Sequence, residues 1–224
     1  MATRLNLLAA DRILADTAPM IAPADALRKL REGNRRFADG DTDSIARTSV
    51  RADLVDGQTP FAIILACSDS RVPVEMVFDC GLGDLFVIRV AGNIVAPSQI
   101  GSIEFAAEQF GTRLVVVLGH TNCGAVTATL NELALNDSHR SPNLRAIVDR
   151  VRPSVEPVVE KYRDGGDAAL LGEAIRANIR GSVQRLSHGS EILEKLIEDN
   201  ELVVVGAEYS IETGNVEFFD GNAV

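Results

Sequence analysis

Four short runs of apolar residues, rich in β-branched side chains, recur along the chain. Each run is bounded by polar or glycine-containing sequence, and together they cover residues 61–66, 84–90, 113–119 and 201–209. Continuous apolar runs of this length predict strands that are buried on both faces of a sheet. Segments with helical spacing lie between the second and third runs and after the third. This alternation predicts an α/β fold with a mainly parallel central β-sheet flanked by helices.

The two ends of the chain depart from this alternation. Residues 24–37 carry apolar side chains at helical spacing, and Gly40 ends that pattern. Residues 5–14 could form a separate amphipathic helix, and such an arm could pack on a second subunit. Near the carboxyl terminus, residues 213–215 predict a turn followed by an edge strand.

The region between residues 138 and 200 is more polar and contains several residues that interrupt helices. Pro142, Pro153, Pro157 and the glycines at positions 165 and 166 divide it. We therefore expect this region to form helices joined by loops, with breaks at these positions.

Composition narrows the class of protein. The 224 residues, of which 46% are hydrophobic and 24% charged, suit one large domain with a sizeable core. No linker divides the chain, so we expect a single domain, with an N-terminal helical arm at residues 1–45 and an α/β domain at residues 46–224. The net charge of -10 argues against nucleic acid and anionic membranes as partners.

Cysteine usage and hydropathy indicate a location. Three cysteines, an odd and low number, argue against a disulfide framework and for a reducing compartment. The chain has no run of 18 apolar residues, so we expect no transmembrane helix. Asp11 and Asp16 interrupt the apolar residues near the amino terminus, which lacks the pattern of a secretory signal. A cytoplasmic location is expected.

Polar clusters follow two of the predicted strands. The sequence CSDSRVP covers residues 67–73, and HTNCG covers residues 120–124. Ligands of open parallel sheets bind at the carboxyl ends of strands, so the two clusters can converge. Cys67, His120 and Cys123 would form a three-ligand zinc set with an open fourth position. The alternative is a protein with buried cysteines and a loop histidine, and we interpret the remaining cysteine as a buried apolar thiol.

Asp69 and Arg71 lie within four positions of Cys67. Asp69 could take the fourth zinc position, which would close the site. Alternatively it could pair with Arg71, stay ionised and accept a hydrogen bond from a zinc-bound hydroxide, leaving the fourth position to water. An ordinary loop salt bridge is the third interpretation of these two residues.

Taken together, these segments resemble the β-class carbonic anhydrases. CSDSRVP and GHTNCG match the two motifs of that family in order and spacing. GDLFVIRVAGN, LREGNRRF and GAEYSIETG extend the similarity beyond them. The resemblance implies zinc-dependent, reversible hydration of carbon dioxide to bicarbonate and a proton by a zinc-bound hydroxide. It further implies an obligate homodimer, often doubled to a tetramer, with active sites at the dimer interface.

The resemblance also assigns residue roles. It implies that Cys67, His120 and Cys123 bind one zinc ion per chain, and that Asp69 and Arg71 form a catalytic dyad. Each substrate-binding position of the plant-type subclass carries, in this sequence, either the same residue or a different one. These positions are Gln58, Phe86, Ala91 in place of valine, Phe105 in place of an aromatic hydroxyl, and Gly124, which lends a backbone N–H.

A second subclass of that family carries a bicarbonate effector site built from Trp, Arg and Tyr. Arg89 and Tyr209 match it, but Ile64 stands at the Trp position. We therefore favour a zinc site that stays open and holds water. Two thiolate ligands donate more charge than imidazoles, so we expect activity to rise on the alkaline side.

Three other functions remain open at this point. The same site could hydrolyse carbon disulfide or carbonyl sulfide, or it could be an inactive zinc scaffold or sensor. A thiol redox protein is the third, although the chain has no Cys-x-x-Cys pair. His139 and His188 could shuttle protons, and exposed histidines without a role are the alternative.

Overall fold

The four predicted apolar runs form neighbouring parallel strands, and a fifth strand closes one edge of the sheet. The computed structural model describes residues 21–42, 51–52, 54–135, 141–162 and 167–221. Its strands and helices, in chain order, are α1 (Pro23–Asp39), β1 (Ala62–Ala66), α2 (Val74–Val77), β2 (Leu85–Arg89), α3 (Pro97–Gln109), β3 (Leu114–His120), α4 (Gly124–Leu135), α5 (Pro142–Lys161), α6 (Asp167–Ser187), α7 (Glu191–Glu198), β4 (Val203–Tyr209) and β5 (Val216–Gly221).

The strand order is β2-β1-β3-β4-β5. β1 pairs in parallel with β2 and β3, β3 pairs in parallel with β4, and β5 runs antiparallel to β4. The α/β fold with a mainly parallel sheet is thereby confirmed, and so is the edge strand after the turn at residues 213–215.

Both faces of the sheet are covered, which explains the unbroken apolar runs. Every residue of β1 and β3 is buried. Successive side chains of a strand point to opposite faces of the sheet and so enter two different cores. Ile63 and Val115 belong to the core beneath α3, α5 and α6. Ile64 and Val116 belong to the core beneath α1 and α2. Burial on both faces removes the polar alternation that a half-exposed strand would show.

Helix α1 packs on the sheet of its own chain. Gly33 makes this approach possible, because a Cβ there would lie 1.9 Å from the carbonyl oxygen of Phe78. Asn34 donates to the carbonyls of Val77 and Gly214 and accepts from the Val216 backbone N–H. The predicted helix over residues 24–37 is confirmed, whereas the amphipathic segment at residues 5–14 lies outside the described residues.

Helix α5 corrects one prediction. Pro153 and Pro157 do not break the chain, because both lie inside this 20-residue helix. Each proline leaves the carbonyl four residues earlier without its usual donor. Both prolines are exposed, so water can serve these carbonyls, while Val151 and Val155 on the opposite face are fully buried. Packing of the buried face therefore overrides the local break.

The register places the two polar clusters side by side. Ala66, the last residue of β1, pairs with Leu118 in β3, so Cys67 and His120 leave the sheet at the same edge. We call this edge, where the parallel strands finish, the carboxyl end of the sheet. Among the described residues, no helix is long and apolar enough to cross a membrane.

Candidate metal centre and active site

Cys67, His120 and Cys123 converge at the carboxyl end of the sheet. Their Sγ and imidazole nitrogen atoms all lie within 4.8 Å of one another, and all three residues are buried. Asn122 has a left-handed backbone with φ of 58°, which turns the chain sharply between His120 and Cys123. Asparagine tolerates this conformation better than most residues. The loop can therefore aim both side chains at one point.

The cluster has the donor set and the orientation that zinc requires. His120 Nδ1 lies 2.9 Å from the Thr121 carbonyl oxygen, to which it donates in the tautomer that leaves a lone pair on Nε2. Nε2 is buried and has no hydrogen-bond partner among the described residues. A metal-binding imidazole commonly donates its other ring N–H to a backbone carbonyl, which fixes the orientation of the ring. Ligand atoms around tetrahedral zinc are about 3.5–3.8 Å apart, so a small contraction of the cluster would complete the site.

The two thiols differ in their surroundings. Cys67 Sγ accepts from the Gly92 backbone N–H at 3.3 Å. A hydrogen bond from the neighbouring Cys123 thiol, more than any other contact, lowers the pKa of Cys67 to about 4. Cys123 in turn has a raised pKa, because its thiol donates a hydrogen bond to the Cys67 thiolate. A divalent cation would take the place of this shared proton, so metal affinity should fall with acidity.

Asp69 and Arg71 form a bidentate pair beside the cluster. Arg71 Nε and an Arg71 terminal nitrogen donate to the two Asp69 oxygens at 2.9 and 2.8 Å, and the Arg71 backbone N–H adds a third bond of 3.0 Å. Arg71 also donates to the Asn122 carbonyl at 3.3 Å, which ties the two motifs together. These bonds to Arg71 hold the pKa of Asp69 well below its usual range. Asp69 is therefore a fixed acceptor.

Asp69 lies beside the cluster and is paired with Arg71. Its Oδ2 atom lies 3.8 Å from Nε2 of His120, and both oxygens are engaged by Arg71.

Residues outside the two motifs hold the site in place. Arg89 donates to the Cys67 carbonyl at 3.1 Å and to the Asp69 carbonyl at 2.6 Å, which fixes the loop after β1. Asn178 and Ser182 on α6 donate to the carbonyls of Gly92 and Asn93, so they fix the loop whose N–H reaches Cys67. Sequence reasoning missed Asn178 and Ser182, because they lie more than 80 residues from their partners and carry no local motif.

The five substrate-binding candidates separate into two groups. Ala91 and Gly124 lie at the cluster, since Ala91 precedes the Gly92 amide that reaches Cys67 and Gly124 follows Cys123. Phe86 pairs with Ile63, four residues before Cys67, so it lies roughly 13 Å back along the sheet.

The other two candidates lie with Phe86. The ring of Phe105 packs on that of Phe86 at 6.3 Å between centroids, and the exposed Gln58 precedes β1. These three side chains do not reach the cluster of their own chain. His188 is exposed, and His139 lies outside the described residues.

The fold and the site together define the class of protein. It is an α/β protein with a candidate metal centre and a carboxylate–guanidinium pair at the carboxyl end of its sheet. Residues 62–216 match the family model described as carbonic anhydrase. Carbonic anhydrase 2 of Mycobacterium tuberculosis is 37% identical over 204 residues, which cover 90% of this chain and 95% of that protein. A carbonic anhydrase of Pseudomonas aeruginosa is 31% identical and covers 79% of this chain and 80% of its own.

Solved structures agree with these relatives. The β-carbonic anhydrase CcaA superposes with a TM-score of 0.69 at 26% identity, and the match covers 88% of each chain. A Coccomyxa β-carbonic anhydrase, solved in complex with acetazolamide, shares the fold with a TM-score of 0.69 at 23% identity. The chain belongs to the β-class carbonic anhydrases. Family and fold together support hydration of carbon dioxide as its reaction.

Proposed function

We propose that this chain catalyses the reversible hydration of carbon dioxide to bicarbonate and a proton, with one zinc ion per chain held by Cys67, His120 and Cys123. The observation that carries the proposal is the buried, unpartnered Nε2 atom of His120 between two thiols and a fixed carboxylate. An ordinary core histidine would have both ring nitrogens satisfied.

Asp69 and Arg71 are proposed to orient the nucleophile at this site. When bound, zinc would supply a Lewis acid that lowers the pKa of a coordinated water from 15.7 to about 7 and so makes a nucleophile available near neutrality. Asp69 can only accept hydrogen bonds while Arg71 keeps it ionised, so it would accept a hydrogen bond from that nucleophile and turn a lone pair of the nucleophile toward the substrate. Arg71 acts as a positioning residue, because its two bonds fix the carboxylate plane.

The apolar part of the pocket is proposed to come from a second copy of the chain. The side chains of Gln58, Phe86 and Phe105 cannot reach the cluster of their own chain. Phe105 is nevertheless 51% exposed, and β2 is an edge strand of the sheet within the part of the chain that the structure describes. A symmetric dimer across this region would carry the three side chains of one protomer to the metal centre of the other. The homodimer, or a tetramer made from two such dimers, is therefore the proposed assembly.

Carbon dioxide suits such a pocket because it has no charge and little polarity. The rings of Phe86 and Phe105 would exclude water, while the Gln58 amide and the Gly124 backbone N–H would bind its oxygens as charge develops there. Ala91 would leave slightly more room than a larger side chain at the same place.

Stopped-flow hydration of carbon dioxide by the zinc-loaded protein tests this function. We expect fast hydration that increases on the alkaline side of neutrality. Asp69→Asn should keep one zinc per chain but lose about 100-fold or more in rate, because a neutral amide is no longer an acceptor-only group. Asp56→Asn, at an exposed position outside the site, is the matched control.

Two results would contradict the proposal. Stoichiometric zinc without hydration would favour an inactive scaffold or a hydrolase of carbon disulfide or carbonyl sulfide, which the same instrument can assay. An Asp69→Asn enzyme with the wild-type rate would remove the carboxylate from the mechanism.

A cytoplasmic location is proposed on the chemistry of the thiols. Cys67, Cys80 and Cys123 are all buried and free of disulfides. A metal site with two thiolates needs reducing surroundings to keep its ligands. Cell fractionation tests this proposal, and recovery of the protein outside the cytoplasmic fraction would contradict it.

A further inference from the structure

A second polar site lies away from the metal cluster, in a cavity of about 790 Å³. It is enclosed by the start of α3, the middle of α5 and the second half of α6, and it shares no residue with the cluster. Its volume falls within the range of small-molecule sites, which is about 300–1,000 Å³. The lining residues that matter here are Val95, Pro97, Ile100, Arg150, Arg180 and Arg185.

The cavity carries one sign of charge. Arg150, Arg180 and Arg185 line it together with His188, and no carboxylate is found among the lining residues that the structure describes. This excess is unusual for a chain with a net charge of -10. A concave site with cationic walls concentrates anions.

Arg185 is the clearest sign that a partner is missing. One of its terminal nitrogens is buried and has no hydrogen-bond partner among the described residues. Burial, and then the charge of Arg150, lower the pKa of the Arg185 guanidinium. A buried, unpaired guanidinium donor costs stability, so proteins rarely keep one without a purpose.

Other half-buried arginines on the same two helices are paired with carboxylates. On α6, Arg176 pairs with Glu208 at 2.9 Å and with Glu217 at 2.5 Å. On α5, Arg152 pairs with Glu132 at 2.7 Å. Arg150 and Arg185 form no ion pair within the described part of the chain. Glu132 of α4, Glu208 of β4 and Glu217 of β5 thus pair with arginines next to the cavity, whereas no carboxylate lines the cavity itself within the described residues.

The rest of the lining is apolar. Val95 is buried, Ile100 is half-buried, and Pro97 begins α3 on the same wall. A fully hydrated inorganic ion would leave these surfaces unused, whereas a molecule with an anionic head and an apolar body would cover them.

We propose that this cavity binds a small organic anion, whose phosphate or carboxylate head pairs with Arg150 and Arg185 and whose apolar body packs on Val95, Pro97 and Ile100. Guanidinium groups suit both heads, since their paired N–H donors match two oxygens of either. The site does not depend on the proposed reaction, because it shares no residue with the metal cluster.

Isothermal titration of the zinc-loaded, full-length protein tests the site. Phenyl phosphate and benzoate are the two probes, which distinguish a phosphate head from a carboxylate head, and benzyl alcohol is the neutral control. We expect saturable binding of at least one anion and at least tenfold weaker binding of the alcohol.

Variants locate the binding. Arg150→Gln combined with Arg185→Gln should weaken anion binding by about tenfold or more, since each removed charge-assisted bond is a substantial part of the affinity. Arg145→Gln, at an exposed arginine of α5, should bind as the wild type does. If the double variant does not fold, crystals of the wild type soaked with the bound probe show whether it occupies the cavity.

Three results would overturn the proposal: no binding of either anion, equal affinity of the double variant and the wild type, or density for the probe at the metal cluster alone. Density between Arg150 and Arg185 would support it.

Discussion

The two ends of the sheet differ in what they assemble. At the carboxyl end, two loops bring three metal ligands and the Asp69–Arg71 pair within a few ångströms. At the opposite end, the exposed Gln58 precedes β1, and Phe105 is half-exposed on the ring of Phe86. At the carboxyl end, the candidate ligands and the carboxylate already lie together. At the opposite end, the amide and the aromatic rings lie too far from the cluster of their own chain to contact a substrate bound there. In the proposed dimer, a single chain would hold one half of each of two sites.

The largest effect is expected from removing a ligand at the carboxyl end. His120→Ala should reduce zinc from about one per chain to near zero and lower the hydration rate by about 1,000-fold or more, since several kcal/mol of transition-state stabilisation are lost. Metal analysis and stopped-flow rates on the same preparations measure both effects.

Cys80→Ser is the matched control for this loss. Cys80 is also buried, but its Sγ donates to the Phe78 carbonyl at 3.3 Å and takes no part in the cluster. Loss of zinc in this variant, or full zinc in His120→Ala, would contradict the assignment of the ligands.

The next effect concerns the geometry of the dyad. Arg71→Gln should retain zinc but lose about 100-fold in rate, because the Asp69 carboxylate is no longer held ionised in one plane. Arg71→Lys should fall between this variant and the wild type, since a single ammonium cannot replace the bidentate contact. Equal rates for Arg71→Lys and the wild type would show that charge alone is required.

At the opposite end, Gln58→Ala should separate catalysis from folding. The side chain is exposed, so zinc content and the free energy of unfolding should not change. The rate should nevertheless fall about tenfold, the value of one hydrogen bond to developing charge. Gln109→Ala, an exposed glutamine at the end of α3, should have no effect. An unchanged rate in Gln58→Ala would leave the opposite end without a role.

A smaller and purely structural effect is expected behind the carboxyl end. Asn178→Ala leaves the buried Gly92 carbonyl without its donor, which should lower the free energy of unfolding by about 1–3 kcal/mol. Urea denaturation measures this change, and Gln184→Ala at an exposed position of the same helix is the control. Equal stability of the two variants would show that the 91–93 loop does not depend on the Asn178 hydrogen bond.

The smallest effect is expected at the β5 edge, which belongs to neither half-site. Arg176 lowers the pKa of Glu217, whose side chain is 63% exposed. A carboxyl with a lowered pKa stabilises the fold above its ordinary pKa and stops doing so as the pH falls through the folded value. Glu217→Gln should therefore cost at most about 1 kcal/mol at neutral pH, and the difference should disappear in acid. A difference that persists in acid would contradict the ion pair as its cause.

The sequence predicted the carboxyl end well because its signals are local. Strand runs that stop at CSDSR and HTNC place both motifs at one sheet edge, and the structure brings their side chains together. The long-range supports were not predictable in the same way, since Asn178 meets Gly92 only through the packing of α6. Pro153 also misled the prediction, because burial of the opposite face of α5 outweighs a local break.

The cavity lined by Arg150, Arg180 and Arg185 could not be predicted from the sequence either. Its walls come from residues 95–100, 150–154 and 177–189, so no single stretch of sequence reveals it. Arginine is common on helix surfaces, and only the packed structure distinguishes Arg185 from the paired Arg176. Sites formed between helices therefore need the structure, whereas sites that follow strands can be anticipated.

The central claim is that hydration occurs at a site made from two chains, and co-expression of two defective chains tests it most directly. One chain carries Gln58→Ala and the other carries Asp69→Asn, with different tags to purify the mixed dimer. If the two ends meet across a symmetric interface, each mixed dimer holds one intact site and one doubly defective site, so it should hydrate carbon dioxide at about half the wild-type rate. A mixed dimer that is no more active than the two parent variants would show that each chain builds its site alone, and would contradict the account.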